Sequence, residues 1–171
     1  MKGLIISIAV LVSSVAGSPE EAVPGKIEVK EAEKLWGKEI NFEALEIPGE
    51  LLSDTGTFRA YDRVFLAKSL SENLGYVVMT KAMGRFEYFD YALYYSNDLL
   101  IENVVVSKYR SSRGAAICSK GWLKQFKEYD GKSLAVGDDV QAISGATISA
   151  NSITNDIQRS HRLMRILMER K

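Results

Sequence analysis

Alternating apolar and polar positions predict several β-strands in the first two thirds of the chain. The expected strands cover residues 40–47, 64–67, 74–82, 86–95 and 99–108. Gly84 is expected to turn the chain after the third of these segments, and Ser96-Asn97-Asp98 has the composition of a tight turn. The later strands are therefore predicted to form an antiparallel meander of three or four strands.

Helical patterns flank the predicted strands. Residues 29–36 are rich in Glu and Lys, and Gly37 is placed to end that helix. A second helix is predicted over residues 115–127, and a final helix runs from about residue 149 to residue 170. The fold class that follows is α+β, with a mainly antiparallel sheet and helices packed on it, in one domain over residues 29–171.

The final helix is expected to bury one side on the sheet, because its apolar residues recur at helical spacing. The apolar stripe consists of Ile153, Ile157, Met164 and Leu167. The residues expected to face away from the core are Asn155, Asp156, Arg159 and Arg162. His161, the single histidine, has no Cys or carboxylate cluster around it, so a surface or partly buried structural position is expected rather than a metal site.

The N-terminus has the pattern of a signal peptide. Lys2 supplies a positive charge, residues 4–12 are almost all apolar, and Ser14-Val15-Ala16 fits the small-residue rule for cleavage. Residues 1–17 are therefore predicted to be removed on export, and residues 18–28 to form a tether. The domain is expected outside the cytoplasm, in the periplasm or cell envelope. An uncleaved N-terminal anchor is the alternative, although its apolar run is short for a membrane span.

Composition narrows the class of protein. Basic and acidic residues number 22 each, so the formal net charge is zero and no basic surface for nucleic acid is indicated. Cys118 is the single cysteine, which excludes an intramolecular disulfide, and its expected role is a buried apolar side chain. No dinucleotide-binding or phosphate-binding glycine motif and no paired metal ligands are recognisable.

The segment Ser144-Gly145-Ala146-Thr147 lies where the predicted extended residues 140–143 meet the final helix. Gly145 permits a positive φ and a close approach to the main chain. Thr147 is expected at or next to the helix N-cap, where free N–H groups and the helix dipole favour an anion such as a phosphate. A hydroxyl presented there could also be esterified to a phosphate. The alternative is that Ser and Thr merely cap the helix.

Ser144-Gly145-Ala146-Thr147 resembles the flavinylation motif of the FMN-binding domain family, which occurs in the flavin subunits of sodium-pumping quinone reductases and related electron-transport complexes. Further upstream matches are Tyr109-Arg110, Gly114, Ile117, Trp122-Leu123, Gln125-Phe126 and Gly131-Lys132. The resemblance implies that Thr147 carries FMN through a phosphoester and that Ser144, Gly145 and Ala146 shape the site. It also implies a flavin transferase, which uses FAD to install the FMN, as a maturation partner.

The loop before the second predicted helix is a further candidate for the flavin site. Arg110 and Arg113 suit phosphate binding, although two loop arginines can equally be solvated. The family often has Glu-Ser-His-Gly here, whereas this chain has Ser111-Ser112-Arg113-Gly114. The matching Gly114 implies a structural turn near the cofactor, and Gly114 and Trp122 are the weaker candidates for the pocket.

The resemblance implies an exported FMN-carrying electron-transfer protein whose redox partners could belong to a membrane electron-transport complex. The residues themselves leave two alternative functions open. One is an envelope adaptor of the same fold without covalent flavin, which is favoured by Gln141 because the family normally has Asp at that position. The other is a small flavin-dependent reductase, although the sequence names no proton donor for a substrate.

Overall fold

Five antiparallel strands form one open sheet in which every strand pairs with its neighbour in sequence. The computed structural model describes residues 23–37, 39–53 and 58–170. The strands are β1 (Asn41–Leu45), β2 (Arg63–Lys68), β3 (Asn73–Met83), β4 (Tyr88–Tyr95) and β5 (Ile101–Lys108). The expected meander of short antiparallel strands is confirmed, with β1 added at its edge. The helices are α1 (Lys26–Trp36), α2 (Gly49–Ser53), α3 (Lys120–Leu123) and α4 (Thr147–Glu169). The predicted α+β class is therefore confirmed.

The strand register produces two apolar faces. Val64 pairs with Val78, Val78 with Leu93, and Leu93 with Val104, so one row of side chains crosses four strands. These four residues belong to the large core under α4. Phe65, Val77 and Tyr94, which alternate with that row, belong to a smaller core under α1. Both faces are buried because successive side chains of a strand point to opposite sides of the sheet.

The 23-residue helix α4 closes the larger face. The predicted stripe is confirmed, since Ile153, Ile157, Met164 and Leu167 are all at most 3% exposed. Burying four such side chains stabilises the fold by roughly 1.5–3 kcal/mol each before entropy is counted. This packing fixes the position of the helix and therefore of its N-terminal residue, Thr147.

The helix α1 covers part of the opposite face. Ala32 is buried among the sheet residues, and Tyr94 Oη donates to the Glu28 carbonyl at 3.0 Å. Trp36 Nε1 donates to Glu102 Oε2 at 2.6 Å, which joins the last turn of α1 to β5. Gly37 ends the helix as expected. Its start at Lys26 lies three residues before the predicted domain start, and the predicted signal peptide and residues 18–22 of the tether lie outside the described residues.

Several local predictions were wrong. Residues 140–143 form no strand; Val140 makes one isolated bridge to Val136, and its N–H bonds to the Ala135 carbonyl at 3.1 Å. The helix predicted over residues 115–127 is broken into short turns, because Ser119 is extended and its Oγ accepts from Trp122 N to cap α3. The final helix begins at Thr147, two residues earlier than expected, and α2 was missed.

The expectation that Asp156 and Arg159 face solvent was also wrong. They are only 4% and 8% exposed. Arg159 Nη1 lies 2.8 Å from Asp62 Oδ2, and its Nε lies 2.7 Å from Asp156 Oδ1. Burial alone would lower the pKa of Arg159, but its hydrogen bonds and ion pairs with Asp156 and Asp62 raise it. Because buried charges need partners, the ion pair between Arg159 and Asp62 holds α4 against the segment before β2.

His161 is more buried than expected, with 2% of its surface exposed. It contacts the rings of Tyr95 and Tyr129, at 6.0 and 5.1 Å between ring centres. Gly131, at φ +104, approaches so closely that a Cβ there would lie 2.8 Å from His161 Nε2. His161 is therefore a packing residue. It lies in the second half of α4, far from Thr147.

Candidate functional site

The first turn of α4 presents free backbone donors at the protein surface. Ala146 is the N-cap and offers no side-chain cap, and Ala150 N donates to the Ala146 carbonyl at 2.9 Å to start the helix ladder. The N–H groups of Thr147, Ile148 and Ser149 precede that ladder, so they have no intrahelical acceptor. Together with the positive end of the helix dipole, they favour an anion at this position.

The backbone conformation explains the residue types in Ser144-Gly145-Ala146-Thr147. Gly145 has φ +77, a region that residues with a Cβ adopt at a penalty. The turn then places Ala146, 3% exposed, in the core and leaves Thr147 exposed. Ser144 and Gly145 are exposed as well. The Thr147 hydroxyl therefore belongs to an accessible surface position directly beside the free N–H groups.

Gly114 packs tightly against this helix start. It has φ +86, and a Cβ there would lie 2.6 Å from Tyr109 Oη and 3.0 Å from Ser149 Oγ. Tyr109 Oη donates to the Arg113 carbonyl at 2.7 Å and lies 3.0 Å from Ser149 Oγ. Since the tyrosine has one hydroxyl hydrogen, Ser149 donates to Tyr109 Oη in this arrangement. The expected structural turn at Gly114 is present next to Thr147.

Two adjoining cavities lie in front of the helix start, with volumes of about 240 and 300 Å³. Both are lined by Arg85, Arg113, Gly114, Gly145 and Ala146. Thr147, Ile148 and Ser149 line only the first, and Ser144 and Ala116 line only the second. Two arginines thus line the same space as the residues with free N–H groups, a donor set that suits a phosphate.

Sequence reasoning missed Arg85. It lies in the turn between β3 and β4, where Gly84 N donates to the Glu87 carbonyl at 2.8 Å. A Cβ on Gly84 would lie 3.8 Å from Ser149 Oγ, so the hairpin packs against the first turn of α4. Arg85 Cζ lies 5.2 Å from the centre of the exposed Phe86 ring. No local pattern could identify Arg85, because its importance comes from contact between segments far apart in sequence.

The two loop arginines have different surroundings. Arg113 lines both cavities. Arg110 instead pairs with Asp90, at 2.5 Å between Nη2 and Oδ2, and donates to the Tyr88 carbonyl at 2.9 Å. Of the pair predicted to suit phosphate, only Arg113 reaches the cavities.

Trp122 lies in the core, 5% exposed, and lines neither cavity. Its Nε1 donates to the Gln141 carbonyl at 2.7 Å, and Gln125 Oε1 accepts from Gln141 N at 2.7 Å. These two bonds fix the main chain three residues before Ser144. The Gln141 residue is itself exposed. Trp122 thus positions the segment that leads into the motif.

Other types of site are not indicated in the described part of the chain. No group of three or more His, Cys, Asp or Glu residues there could hold a metal ion. Burial raises the pKa of the half-buried Cys118 thiol, which keeps it protonated near neutral pH. None of the helices described in the structure has both the length and the apolar character needed to cross a membrane.

Comparison with known proteins agrees with this geometry. The profile of the FMN-binding domain matches residues 75–161, which include most of β3, all of β4 and β5, the Gly114 turn and most of α4. The chain belongs to the FMN-binding domain family. Among solved structures it is similar to NqrC of Shewanella oneidensis, with a TM-score of 0.50 and 16% identity over 75% of this chain and 81% of that chain. That likeness supports the fold. No curated protein matches the chain.

The residues in front of α4 fit the phosphate end of FMN, the cofactor that the family indicates. Arg85 and Arg113 supply positive charge, and the N–H groups of Thr147, Ile148 and Ser149 supply donors. Apolar surface lies beside them, since Ile148 is 54% and Phe86 is 69% exposed. Exposed apolar side chains next to hydrogen-bond donors for a phosphate suit a cofactor that has a charged end and a planar aromatic end.

Proposed function

We propose that this protein carries FMN on Thr147 through a phosphoester and transfers electrons outside the cytoplasm. The observation that carries the proposal is the exposed position of Thr147 at the start of α4, in a cavity that Arg85 and Arg113 also line. Membership of the FMN-binding domain family supplies the identity of the cofactor.

The surroundings of the neighbouring hydroxyls favour Thr147 over its competitors. Ser149 is 2% exposed, and its hydroxyl is bonded to Tyr109. Esterification of Ser149 would break that bond and place a charged group in the packed contact with Gly114. Ser144 is exposed but lies three residues before α4, in the second cavity. Thr147 alone combines exposure with the first helical position.

The proposed attachment needs a flavin transferase and FAD, as the family resemblance implies. Thr147 Oγ1 forms a bond to the phosphorus of the FMN half of FAD. The bond from that phosphorus to the AMP half breaks, AMP leaves, and the hydroxyl proton passes to solvent. The resulting phosphodiester is an anion, which Arg85, Arg113 and the helix N-terminus stabilise.

The bound FMN supplies redox chemistry by accepting and releasing electrons one or two at a time. The chain supplies attachment, charge neutralisation and an accessible setting. Four apolar side chains near the hairpin and the helix start remain exposed: Met83, Phe86, Tyr88 and Ile148. This apolar surface suits contact with the flavin ring and with redox partner proteins, which could include a membrane electron-transport complex.

Export is part of the proposal. The charged, apolar and small-residue pattern of residues 1–17 supports removal of a signal peptide, after which residue 18 would begin the mature chain. Covalent attachment has a physical advantage there, because a reversible site loses its ligand where free FMN is scarce. N-terminal sequencing of exported protein tests this part, and an intact residue 2–10 segment on cytoplasmic protein would contradict it.

The deciding experiment is flavin attachment in a host that makes a flavin transferase. Denatured wild-type protein is expected to keep one FMN, which peptide mass spectrometry places on Thr147. Thr147→Ala should lose the flavin and still fold, because Thr147 follows the N-cap and makes no capping bond. Ser133→Ala, at an exposed serine that lines neither cavity, is the matched control and should keep the flavin. Colourless wild-type protein, from a host that flavinylates a control protein, would exclude covalent attachment.

Gln141 favours a second candidate, an envelope adaptor of the same fold without covalent flavin. Its main chain is held by Gln125 and Trp122 while the residue is exposed, so Gln141→Asp should fold normally. If only Gln141→Asp acquires covalent FMN, the adaptor is supported. Titration of the wild-type protein with free FMN would then separate a reversible flavin binder from an adaptor.

A further inference from the structure

A groove of about 530 Å³ opens at the N-terminal end of α1, away from the proposed flavin site. Its sheet residues include Met79 of β3, which packs against the smaller core under α1. The preceding residue, Val78, packs in the core under α4, and the Thr80 hydroxyl lies 3.1 Å from Arg159 Nη2 of α4. Because side chains alternate along a strand, the groove lies on the face of the sheet opposite α4.

The groove has apolar walls that remain open to solvent. Val23 is 61% exposed and Ile27 is 48% exposed, and both line it together with Met79 and Tyr61. Its volume falls within the range of roughly 300–1,000 Å³ that is usual for small-molecule sites. Exposed apolar side chains that line a concavity indicate a binding site more strongly than isolated ones do.

Positive charge is concentrated around these apolar walls. Lys26, Arg63, Lys81 and Lys108 line the groove, against two acidic residues, Glu28 and Asp90. The chain as a whole has a formal net charge of zero. The excess of basic side chains is therefore a local feature of this groove, and it attracts anions.

One of the two acidic residues is paired and the other is buried, whereas two of the lysines are exposed and their side chains are unpaired. Asp90 forms an ion pair with Arg110. Glu28 is 5% exposed, and its carboxylate folds back to where a Cβ on Gly25 would lie, 2.6 Å from Oε2. Within residues 23–37, 39–53 and 58–170, the side chains of Lys26 and Lys108 make no ion pair or hydrogen bond. Their charges are left for a ligand.

We propose that this groove binds a small aromatic anion, with the ring on Ile27, Met79 and Tyr61 and the anionic group near Lys26 and Lys108. An aromatic body is favoured because cations and aromatic faces already meet there: Lys81 Nζ lies 5.5 Å from the centre of the Tyr61 ring. The Met79 thioether also packs favourably on aromatic rings. The site is independent of the proposed FMN attachment.

The test uses 1-naphthalenesulfonate, a planar aromatic ring system with one anionic group. It is titrated into the purified protein by calorimetry, and the site is located from amide shifts in ¹H–¹⁵N NMR spectra. Binding at one site is expected, with shifts at Ile27 and Met79 and little change at Thr147. The Lys26→Glu, Lys108→Glu double variant should bind about tenfold more weakly, and added salt should weaken wild-type binding.

The matched control is the Lys124→Glu, Lys127→Glu double variant, which makes the same charge change at two exposed lysines outside the groove. It should bind within about twofold of wild type. Ile27→Gln, at a half-exposed helical position, should weaken binding severalfold without changing charge. Thr147→Ala should bind as wild type does.

Three results would overturn the assignment. One is the absence of calorimetric heat and NMR shifts. The second is an equal loss of affinity in the two double variants, which would mean that only the overall charge matters. The third is a set of shifts centred on the α4 N-terminus, which would place the ligand at the proposed flavin site instead.

Discussion

Tyr109 and Ser149 are joined through their hydroxyl groups, at 3.0 Å between Oη and Oγ. Tyr109 follows β5 and Ser149 lies in the first turn of α4, so one bond connects the end of the sheet to the start of the helix. Gly114 fits into the angle between them, where no Cβ has room. The contact holds Arg113 beside Thr147 and therefore determines the shape of the proposed phosphate site.

Gly114→Ala is expected to destabilise the protein by more than about 1 kcal/mol, because Gly114 has φ +86 and the added Cβ would lie 2.6 Å from Tyr109 Oη. Gly121→Ala is the matched control, since Gly121 lies in α3 with no atom within 4 Å of the added Cβ. That control should be neutral or slightly stabilising. Urea unfolding measures both, and equal free energies of unfolding would contradict the tight contact.

Arg85→Gln and Arg113→Gln are expected to slow flavin attachment several-fold each, and the double variant more than either one. Each removes one positive charge from the cavities that we propose receive the phosphate. Arg162→Gln, an exposed arginine elsewhere on α4, should attach flavin at the wild-type rate. The measurement is the initial rate of covalent FMN incorporation with purified transferase and FAD. If the two single variants, the double variant and Arg162→Gln all attach flavin at the same rate, neither Arg85 nor Arg113 contributes to the site.

Arg159→Leu is expected to lower the free energy of unfolding by about 3–5 kcal/mol, because it leaves Asp62 buried without a cation and Asp156 with Arg59 alone, at 2.9 Å. Arg162→Leu provides the comparison at an exposed position of the same helix and should change stability by less than about 0.5 kcal/mol. Chemical denaturation gives both values. A loss below about 1 kcal/mol for Arg159→Leu would mean that the remaining polar groups satisfy the carboxylates.

His161 should make stability depend on pH. Burial and the positive charge of Arg165 lower its pKa in the folded state, although hydrogen bonding and the charge of Asp130 act in the opposite direction. The unfolded chain, with an ordinary pKa of about 6.5, therefore takes up the proton first as the pH falls. The contribution of His161 to stability is present above that value and is lost as the pH drops below it.

The measurement is the free energy of unfolding at pH 7.5 and pH 5.5 for wild type and for His161→Phe, which keeps an aromatic ring beside Tyr95 and Tyr129. Wild type should lose more stability over this interval than the variant does. The comparison uses the change with pH, so any direct effect of the substitution on packing cancels. The same change in both proteins would contradict a lowered pKa.

The sequence by itself determined the features that depend on local periodicity. Alternation predicted the strands, and helical spacing predicted the buried stripe of Ile153, Ile157, Met164 and Leu167, all of which the structure confirms. Gly145 was expected to permit a positive φ and Gly114 to lie in a turn, and the structure gives both a positive φ. Such features are readable because burial on one face imposes a repeat on neighbouring residues.

Only the tertiary structure decided which polar residues meet. Asp156 and Arg159 looked like surface residues, because nothing nearby in sequence shows that Asp62, 97 residues before Arg159, completes their network. Arg85 reaches the cavity at Thr147 because the β3–β4 turn packs on the start of α4. Ser149 differs from Thr147 in accessibility because Tyr109, Gly114 and the β3–β4 turn pack around it. A buried polar group is stable only with partners, and those partners come from distant segments that the folded sheet brings together.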